Sequence, residues 1–434
     1  MTTLAIHGGE PVRTKPFPAY VTVGKEEKQA LAAVIDSGCL SKYLGVWHEQ
    51  FLGGEQVRAL EAEWAAYFGA RHAVAVNSCT SGLICAVGAV GISPGDEVIV
   101  TPYTMSATAT AILVWGGIPV FADVEPGYYC LDPKDVERKI TPRTRAIMAV
   151  DIFGQPIDAP ALQDLAERHR LTLIEDTAQA PGAKLDGRHT GTLGHMGVFS
   201  LNYHKHIHCG EGGIILTDDD RLAERCQLIR NHAEAVVEAK GVTELANMVG
   251  FNFRMTELEA AVARCQLRKL DGLLKRRLAN VRLFEERVAH IPAISAPRLR
   301  PDASHAYYVH ACRFDAEVAG VPRDAFINAV RAELPHHELR RAEGVKLGCG
   351  YVRPLYLQPL FQKRIAFGAG GYPFSLGEQD YAKGLCPVCE GLHERELFTH
   401  EFMLPSMTEV DIDDVGQAFD KVWSLRHELR GRQE

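Results

Sequence analysis

The chain has 434 residues, 46% apolar and 24% charged, with a net charge of −8. That length suits about two domains of ~150 residues each, and its interspersed acids and bases argue against a nucleic-acid or membrane partner. Eleven scattered cysteines and no secretory leader predict free thiols in the cytosol.

Between residues 55 and 232 short β-branched runs alternate with helical patterns. The runs are HAVAV (72–76), EVIVTP (97–102), IPVFADV (118–124), AIMAVDIF (146–153) and LTLIED (171–176); SGLICAVGAVG and APALQDLAERHR are among the helices between them. The runs are continuously apolar, as strands covered on both faces are. Strand–helix–strand order predicts right-handed crossovers and a mostly parallel sheet, with ligands bound beyond the carboxyl ends of the strands. The uncharged stretch from Val98 to Ala122 is long enough to span a bilayer. Pro102, Gly116-Gly117 and Pro119 cut it instead into strand, helix and strand of a soluble protein.

Farther along, Thr256 and Glu259 form a capping box that opens a helical pattern running to about Val288. Pro292, Pro297 and Pro301 punctuate the link that follows. Next come a strand (HAYYVHACRF), a helix (PRDAFINAVRAEL), an irregular Gly/Pro-rich stretch over about 335–385, and a closing helix near 410–429. The expected organisation is an N-terminal arm (1–50), a large α/β domain (51–275) running into a linking helix to about 288, and a small α+β domain (289–434).

Three signals fall at strand ends. NSCTSG, Asn77 to Gly82, places small hydroxyl-bearing residues where a helix begins, which suits a phosphate but also suits a plain cap. Asp176 closes an apolar strand in IEDTAQA, as a ligand carboxylate or as a helix N-cap. In SLNYHKHIHCGEGG, Ser200 to Gly213, Lys205 stands among His204, His206 and His208. A lysine near a strand end inside an α/β core is costly unless it is paired or used. Together the three meet the needs of pyridoxal phosphate: an amine for its aldehyde, a carboxylate for its ring nitrogen and donors for its phosphate. On a strand the three histidines would share one face, so zinc is the competing reading. Without a further acidic ligand, polar residues lining a cofactor or interface pocket are expected, and no metal. Cys386-x-x-Cys389 beside Pro387 reads as a helix start rather than a zinc pair, and the Lys-Arg-Arg cluster at 275–277 as a solvated face.

The series GGEPVRTKPFP, GGEQVRALEAEWAAYFG, VNSCTSGL, GDEVIVTPYT, IFGQPID, IEDTAQA, VFS…K…GEGG and GFNFRMTELEAA resembles the DegT/StrS-type sugar and cyclitol aminotransferases, from about Leu4 to about Trp423. The resemblance implies pyridoxal-phosphate fold type I, with a mostly parallel seven-stranded central sheet flanked by helices and a smaller C-terminal α+β domain. It implies that Lys205 holds pyridoxal 5'-phosphate covalently, that Asp176 pairs with its ring nitrogen, and that Gln179 lies near its 3-hydroxyl. Ser200, Cys79 and Thr80 would serve its phosphate, and Asn252 would reach it from the neighbouring subunit of a homodimer. Met105 stands where the family stacks an aromatic ring, Cys79 where Gly or Ala is usual, and Asp151 where His is common. Tyr356, in RPLYLQP, replaces a frequent His in a region that contacts substrate; with His204 it completes the expected substrate residues.

The implied reaction moves an amino group from glutamate or glutamine to a keto-sugar or keto-cyclitol, with pyridoxamine phosphate as the intermediate form. A sugar dehydratase of the same fold would carry His at the Lys205 position. A non-catalytic cofactor-binding regulator is the alternative from a different class.

Overall fold

The computed structural model describes residues 3–430. Its large sheet has seven strands. Five of them, β1 (His72–Val76), β2 (Glu97–Val100), β3 (Ile118–Phe121), β4 (Thr144–Val150) and β5 (Thr172–Asp176), fall within the apolar runs, ending short of the turn residues or, for β4, starting two residues early. A small hairpin, β6 (Lys184–Leu185) and β7 (Arg188–His189), precedes β8 (Met196–Ser200) and β9 (Gly213–Thr217). The order across the sheet is β1-β9-β8-β5-β4-β2-β3, and β9 alone runs against its neighbours. Every residue of β2, β3, β8 and β9 is buried, as the unbroken apolar runs require of a sheet with helices on both faces. The Val98–Ala122 stretch resolves into β2, the helix Ala107–Val114 and β3. No described helix is long and apolar enough to cross a membrane.

At one edge of the sheet, Ala75 donates its N–H to Glu61 (2.8 Å) and accepts from Arg230 (3.0 Å), two residues that also pair with each other at 2.6 Å. The other edge, β3, is covered by a late segment of the chain, residues 355–392. There Phe361 stacks edge-on to Phe121 at 5.2 Å, and the Tyr381 hydroxyl donates to the Pro119 carbonyl at 2.9 Å. The short helix Pro387–Gly391 begins at Pro387, and Asp123 accepts from the Val388 and Cys389 N–H groups at 2.8 and 2.9 Å. Cys386 and Cys389 are buried free thiols, as all eleven cysteines are free.

A second sheet, antiparallel throughout, has the order β10-β11-β13-β12, from β10 (Ile294–Ser295), β11 (His310–Phe314), β12 (Leu347–Cys349) and β13 (Leu397–His400). Helices Arg323–Ala332 and Glu409–Leu425 pack on it around Phe284, Phe326, Phe398 and Phe419. Leu4 and Phe17 from the start of the chain enter the same core.

The helical pattern expected from Thr256 to Val288 is two helices, Glu257–Leu267 and Leu270–Val288. No proline or glycine causes the break. Lys269 N–H bonds to the Gln266 carbonyl (3.0 Å), a tighter i→i−3 turn, and both side chains turn towards the N-terminal segment. Lys269 and Gln266 donate to the buried Glu27 carboxylate at 2.5 and 2.8 Å, and Gly24 N–H adds a third bond at 2.7 Å. The cluster at 275–277 is likewise not all solvated: Arg277 is buried and donates to the Tyr307 carbonyl at 2.8 Å.

Burial opposes the Glu27 charge, but its donors, led by Lys269, hold the pKa down at about 2. Its stabilising effect is therefore full above the ordinary value of 4.5 and lost as pH falls towards 2. Replacing Glu27 with Gln is expected to cost about 1–3 kcal/mol at neutral pH. In urea unfolding measured across an acid pH series, the difference from wild type should shrink to nothing as the acid limit is approached.

Candidate active site

The carboxyl ends of β1, β5 and β8 face a common cavity of roughly 320 Å³. The turn after β1 starts it. Ser78 caps the helix Cys79–Val90 by accepting from Ser81 N–H at 3.0 Å, and the Ser81 hydroxyl donates to Asn77 at 2.6 Å. Among the described residues, the N–H groups of Cys79 and Thr80 have no protein acceptor, so the positive end of the helix faces the cavity with free donors. Gly213 makes this approach feasible: a Cβ there would lie 2.6 Å from the Ser78 carbonyl carbon and 2.7 Å from the Cys79 nitrogen. Burial pushes the Cys79 thiol well above its usual pKa, which keeps it protonated and unreactive.

Asp176 ends β5 with 4% exposure. Its carboxylate accepts from the Thr108 hydroxyl at 2.8 Å and from Ala178 N–H at 3.2 Å. Burial raises its pKa above the ordinary carboxylate value; these two bonds and the Lys205 charge draw it back. Beneath it, buried Asp151 accepts from Ile157 N–H (3.0 Å) and the Thr177 hydroxyl (2.9 Å), so it braces the turn rather than lining the cavity. Gln179 accepts from Phe153 N–H at 2.8 Å, holding Phe153 at a positive φ of 60°, and donates to the Tyr351 hydroxyl at 3.2 Å.

Strand β8 stops at Ser200, and Lys205 lies on the loop beyond it, not on an extended strand. The loop is closed by Leu201 N–H donating to Gly212 O (2.9 Å) and Cys209 N–H donating to Leu201 O (3.1 Å). Asn202 organises its interior, accepting from His204 N–H at 3.1 Å and donating to Glu211 at 2.8 Å. Lys205 Nζ sits 4.0 Å from the centroid of the Tyr308 ring, a cation–π contact. Arg277 anchors the backbone that carries that ring, donating to the Tyr307 and Tyr308 carbonyls.

The loop also separates the three histidines, correcting the shared face expected of a strand. His204 meets Arg340 at 2.7 Å, buried His206 meets the Ala306 carbonyl at 2.9 Å, and His208 N–H reaches Gln266 at 3.5 Å. Elsewhere, among the described residues, His310, Cys312 and His400 lie within reach of a common ion. Phe402 N–H donates to His400 Nδ1 (3.2 Å), so His400 carries its hydrogen on Nε2, which points to His310 Nδ1 (3.1 Å). His310 Nε2 in turn meets Glu285 at 3.1 Å. That continuous relay uses the nitrogens a metal would need.

Cys79, Thr80, Met105, Asp176, Gln179, Ser200, His204 and Lys205 all line the one cavity. Met105 lies at its mouth, 61% exposed. Asn252 lies outside it, with an exposed side chain that accepts from Arg254 at 2.8 Å. Tyr356 is a correction: it is fully buried, its hydroxyl donating to Glu390 and accepting from Cys386 N–H at 3.3 Å, among the residues that cover β3. The tyrosine that reaches the cavity from this stretch is Tyr351. Nothing local in the sequence marks Tyr308 or Tyr351 as cavity residues, and the Thr-rich run after PYT is the one hint of Thr108.

Thr108 to Val keeps the shape and removes a donor from a buried carboxylate. The expected loss is about 1–3 kcal/mol in urea unfolding, with the Asp176 pKa moving further up.

Three comparisons bear on what such a cavity does. The chain is 34% identical over 447 residues to L-glutamine:2-deoxy-scyllo-inosose aminotransferase of Streptoalloteichus tenebrarius, covering 98% of this chain and 99% of that one. It is 35% identical over 347 residues to dTDP-3-amino-3,4,6-trideoxy-alpha-D-glucose transaminase of Streptomyces venezuelae, covering 79% and 82%. Its fold matches NtdA of Bacillus subtilis, solved with bound cofactor PMP, at a TM-score of 0.75 and 25% identity over 95% of this chain and 86% of that one. Residues 24–419 match the DegT/DnrJ/EryC1/StrS aminotransferase family, and the chain belongs to that family as an aminotransferase.

Proposed function

We propose that the protein binds pyridoxal 5'-phosphate in this cavity and transfers an amino group from glutamine or glutamate to the ketone of a polyhydroxylated ring. The observation that carries this reading is the convergence, on one cavity, of a lysine amine, a buried carboxylate and the free N–H groups of a helix start. The donor set fits the group at each end. Cys79 and Thr80 N–H with the Ser200 hydroxyl would hold the phosphate, and Asp176, which accepts two bonds but among the described residues meets no cation at hydrogen-bond distance, would hold the protonated ring nitrogen. When bound, the cofactor supplies an electron-poor ring that accepts the electron pair released at the reacting carbon.

The chain's own residues supply the rest. Thr108 and Ala178 fix the Asp176 carboxylate in direction, and a cation seated against it recovers the cost of burying its charge. Lys205 Nζ is placed to take the proton from the amino-bearing carbon of the donor and to deliver one to the former carbonyl carbon of the acceptor. Such positioned proton transfer typically contributes ~10²–10⁴-fold. Tyr308 beneath Nζ limits the arc through which the amine swings. Met105 covers the mouth as a flexible thioether.

A homodimer completes the site in this reading. Asn252 is exposed and outside its own chain's cavity. Exposed Val21, Ile35, Val46, Trp47, Leu245 and Val249 offer apolar surface for a second copy. A keto-cyclitol is favoured over a nucleotide-linked keto-sugar as acceptor, because the cyclitol relative aligns over 98% of the chain and the sugar-nucleotide relative over 79% of it.

Borohydride reduction of the loaded enzyme, followed by peptide mass spectrometry, should place the cofactor label on Lys205. Lys205 to Ala should lose the label and about 10²–10⁴-fold in turnover with unchanged unfolding. A label on another residue would end the assignment. With glutamine as donor, scyllo-inosose should yield an amine faster than a dTDP-linked keto-sugar; the reverse order would move the acceptor to the nucleotide sugars.

A further inference from the structure

His204 stands next to Lys205 on the loop and lines the cavity. Its Nδ1 lies 2.7 Å from Arg340 Nη2. A guanidinium can only donate, so Nδ1 offers its lone pair and the ring hydrogen sits on Nε2. Adding a proton to Nδ1 would set a second cation against Arg340, and burial together with that charge lowers the His204 pKa. Among the described residues, Nε2 has no hydrogen-bond partner. The imidazole is held in place as well: Tyr203 packs on it with centroids 3.7 Å apart, and Asn202 accepts from its backbone N–H.

Arg340 is itself anchored. It is 10% exposed, donates to Glu401 at 2.7 Å and lies 3.7 Å from Glu343, while Lys346 ties the two glutamates together. The guanidinium cannot turn away from His204 without leaving two carboxylates. This chain of contacts runs from the small antiparallel sheet to the residue beside the reactive amine.

We propose that His204 Nε2–H is a specificity-determining hydrogen-bond donor for an oxygen of the acceptor ring, and that Arg340 is the positioning residue that fixes this tautomer. The proposal rests on the reaction assigned above and adds to it a neutral donor of fixed direction. A neutral donor suits a hydroxyl of an uncharged polyol, since no ion is stripped of water when the ring enters. A site built to bond a substrate hydroxyl also discriminates more sharply than one that merely encloses it.

Two measurements test it. In nitrogen-15 spectra of histidine-labelled holoenzyme, the His204 signals, assigned by loss in His204 to Gln, should show hydrogen on Nε2. Arg340 to Met should convert them to a mixture of tautomers. In kinetics, His204 to Leu should raise KM for scyllo-inosose by about 10–100-fold and KM for glutamine by no more than about 3-fold, the ordinary scatter of a neighbouring change. His204 to Gln, whose amide still donates, should recover most of the difference. Hydrogen on Nδ1 in the wild type, an unchanged tautomer in Arg340 to Met, or equal losses for both substrates would overturn the proposal. Should the wild-type enzyme aminate neither scyllo-inosose nor a dTDP-linked keto-sugar, the assigned reaction fails, while the nitrogen shifts still decide the tautomer.

Discussion

Asp176 puts a carboxylate at the end of a strand whose neighbours on both sides are packed, and that placement constrains everything around it. A buried charge of this kind is stable only with donors or a cation close by. The fold provides two donors, one from the helix after β2 and one from its own turn. Asp151 and Thr177 then hold the turn, and Gln179, the residue after Ala178, holds Phe153 in a conformation it would not otherwise adopt. Much of the core beneath the cavity is thus arranged to keep one acid facing one opening.

The opposite wall is built from different materials. Gly213 lets β9 begin against the backbone of Ser78 and Cys79, which brings a helix start and the end of β8 to the same place. Lys205 is then carried not by the strand but by a ten-residue excursion pinned at both ends. A loop allows the amine to swing, whereas a strand would hold it rigid; the aromatic face of Tyr308 restores direction.

Local pattern was enough to read the strands of the large sheet and the helix start at Cys79, and to bring Lys205 and Asp176 to notice as polar residues near strand ends, because continuous apolar runs and strand-end polar residues are written in adjacent positions. What failed was whatever depends on distant partners. Arg277 looks solvated in its own helix and is buried because two carbonyls thirty residues on need it. The resemblance puts Tyr356, in RPLYLQP, in a region that contacts substrate, but Glu390 and Phe121 claim it, and Tyr351 takes the position at the cavity. The break at Arg268-Lys269 has no breaker in the sequence; the side chains of Gln266 and Lys269 beside it both turn to Glu27, more than two hundred residues earlier. Tyr308, Thr108 and Arg340 likewise acquire their significance only when segments far apart in the chain meet.

The two borders of the large sheet have a consequence for the behaviour of the protein in a crowded solution. A bare border strand is a template for another chain, and fibrous association begins there. On β1 the outward amide of Ala75 is already bonded on both its donor and acceptor sides by the Glu61–Arg230 pair. On β3 the residue at risk is Pro119, which has no N–H to offer and whose carbonyl is taken by Tyr381. At these two positions neither border is left as a ready template, so apolar surface exposed elsewhere on the chain does not come with an open invitation to strand addition.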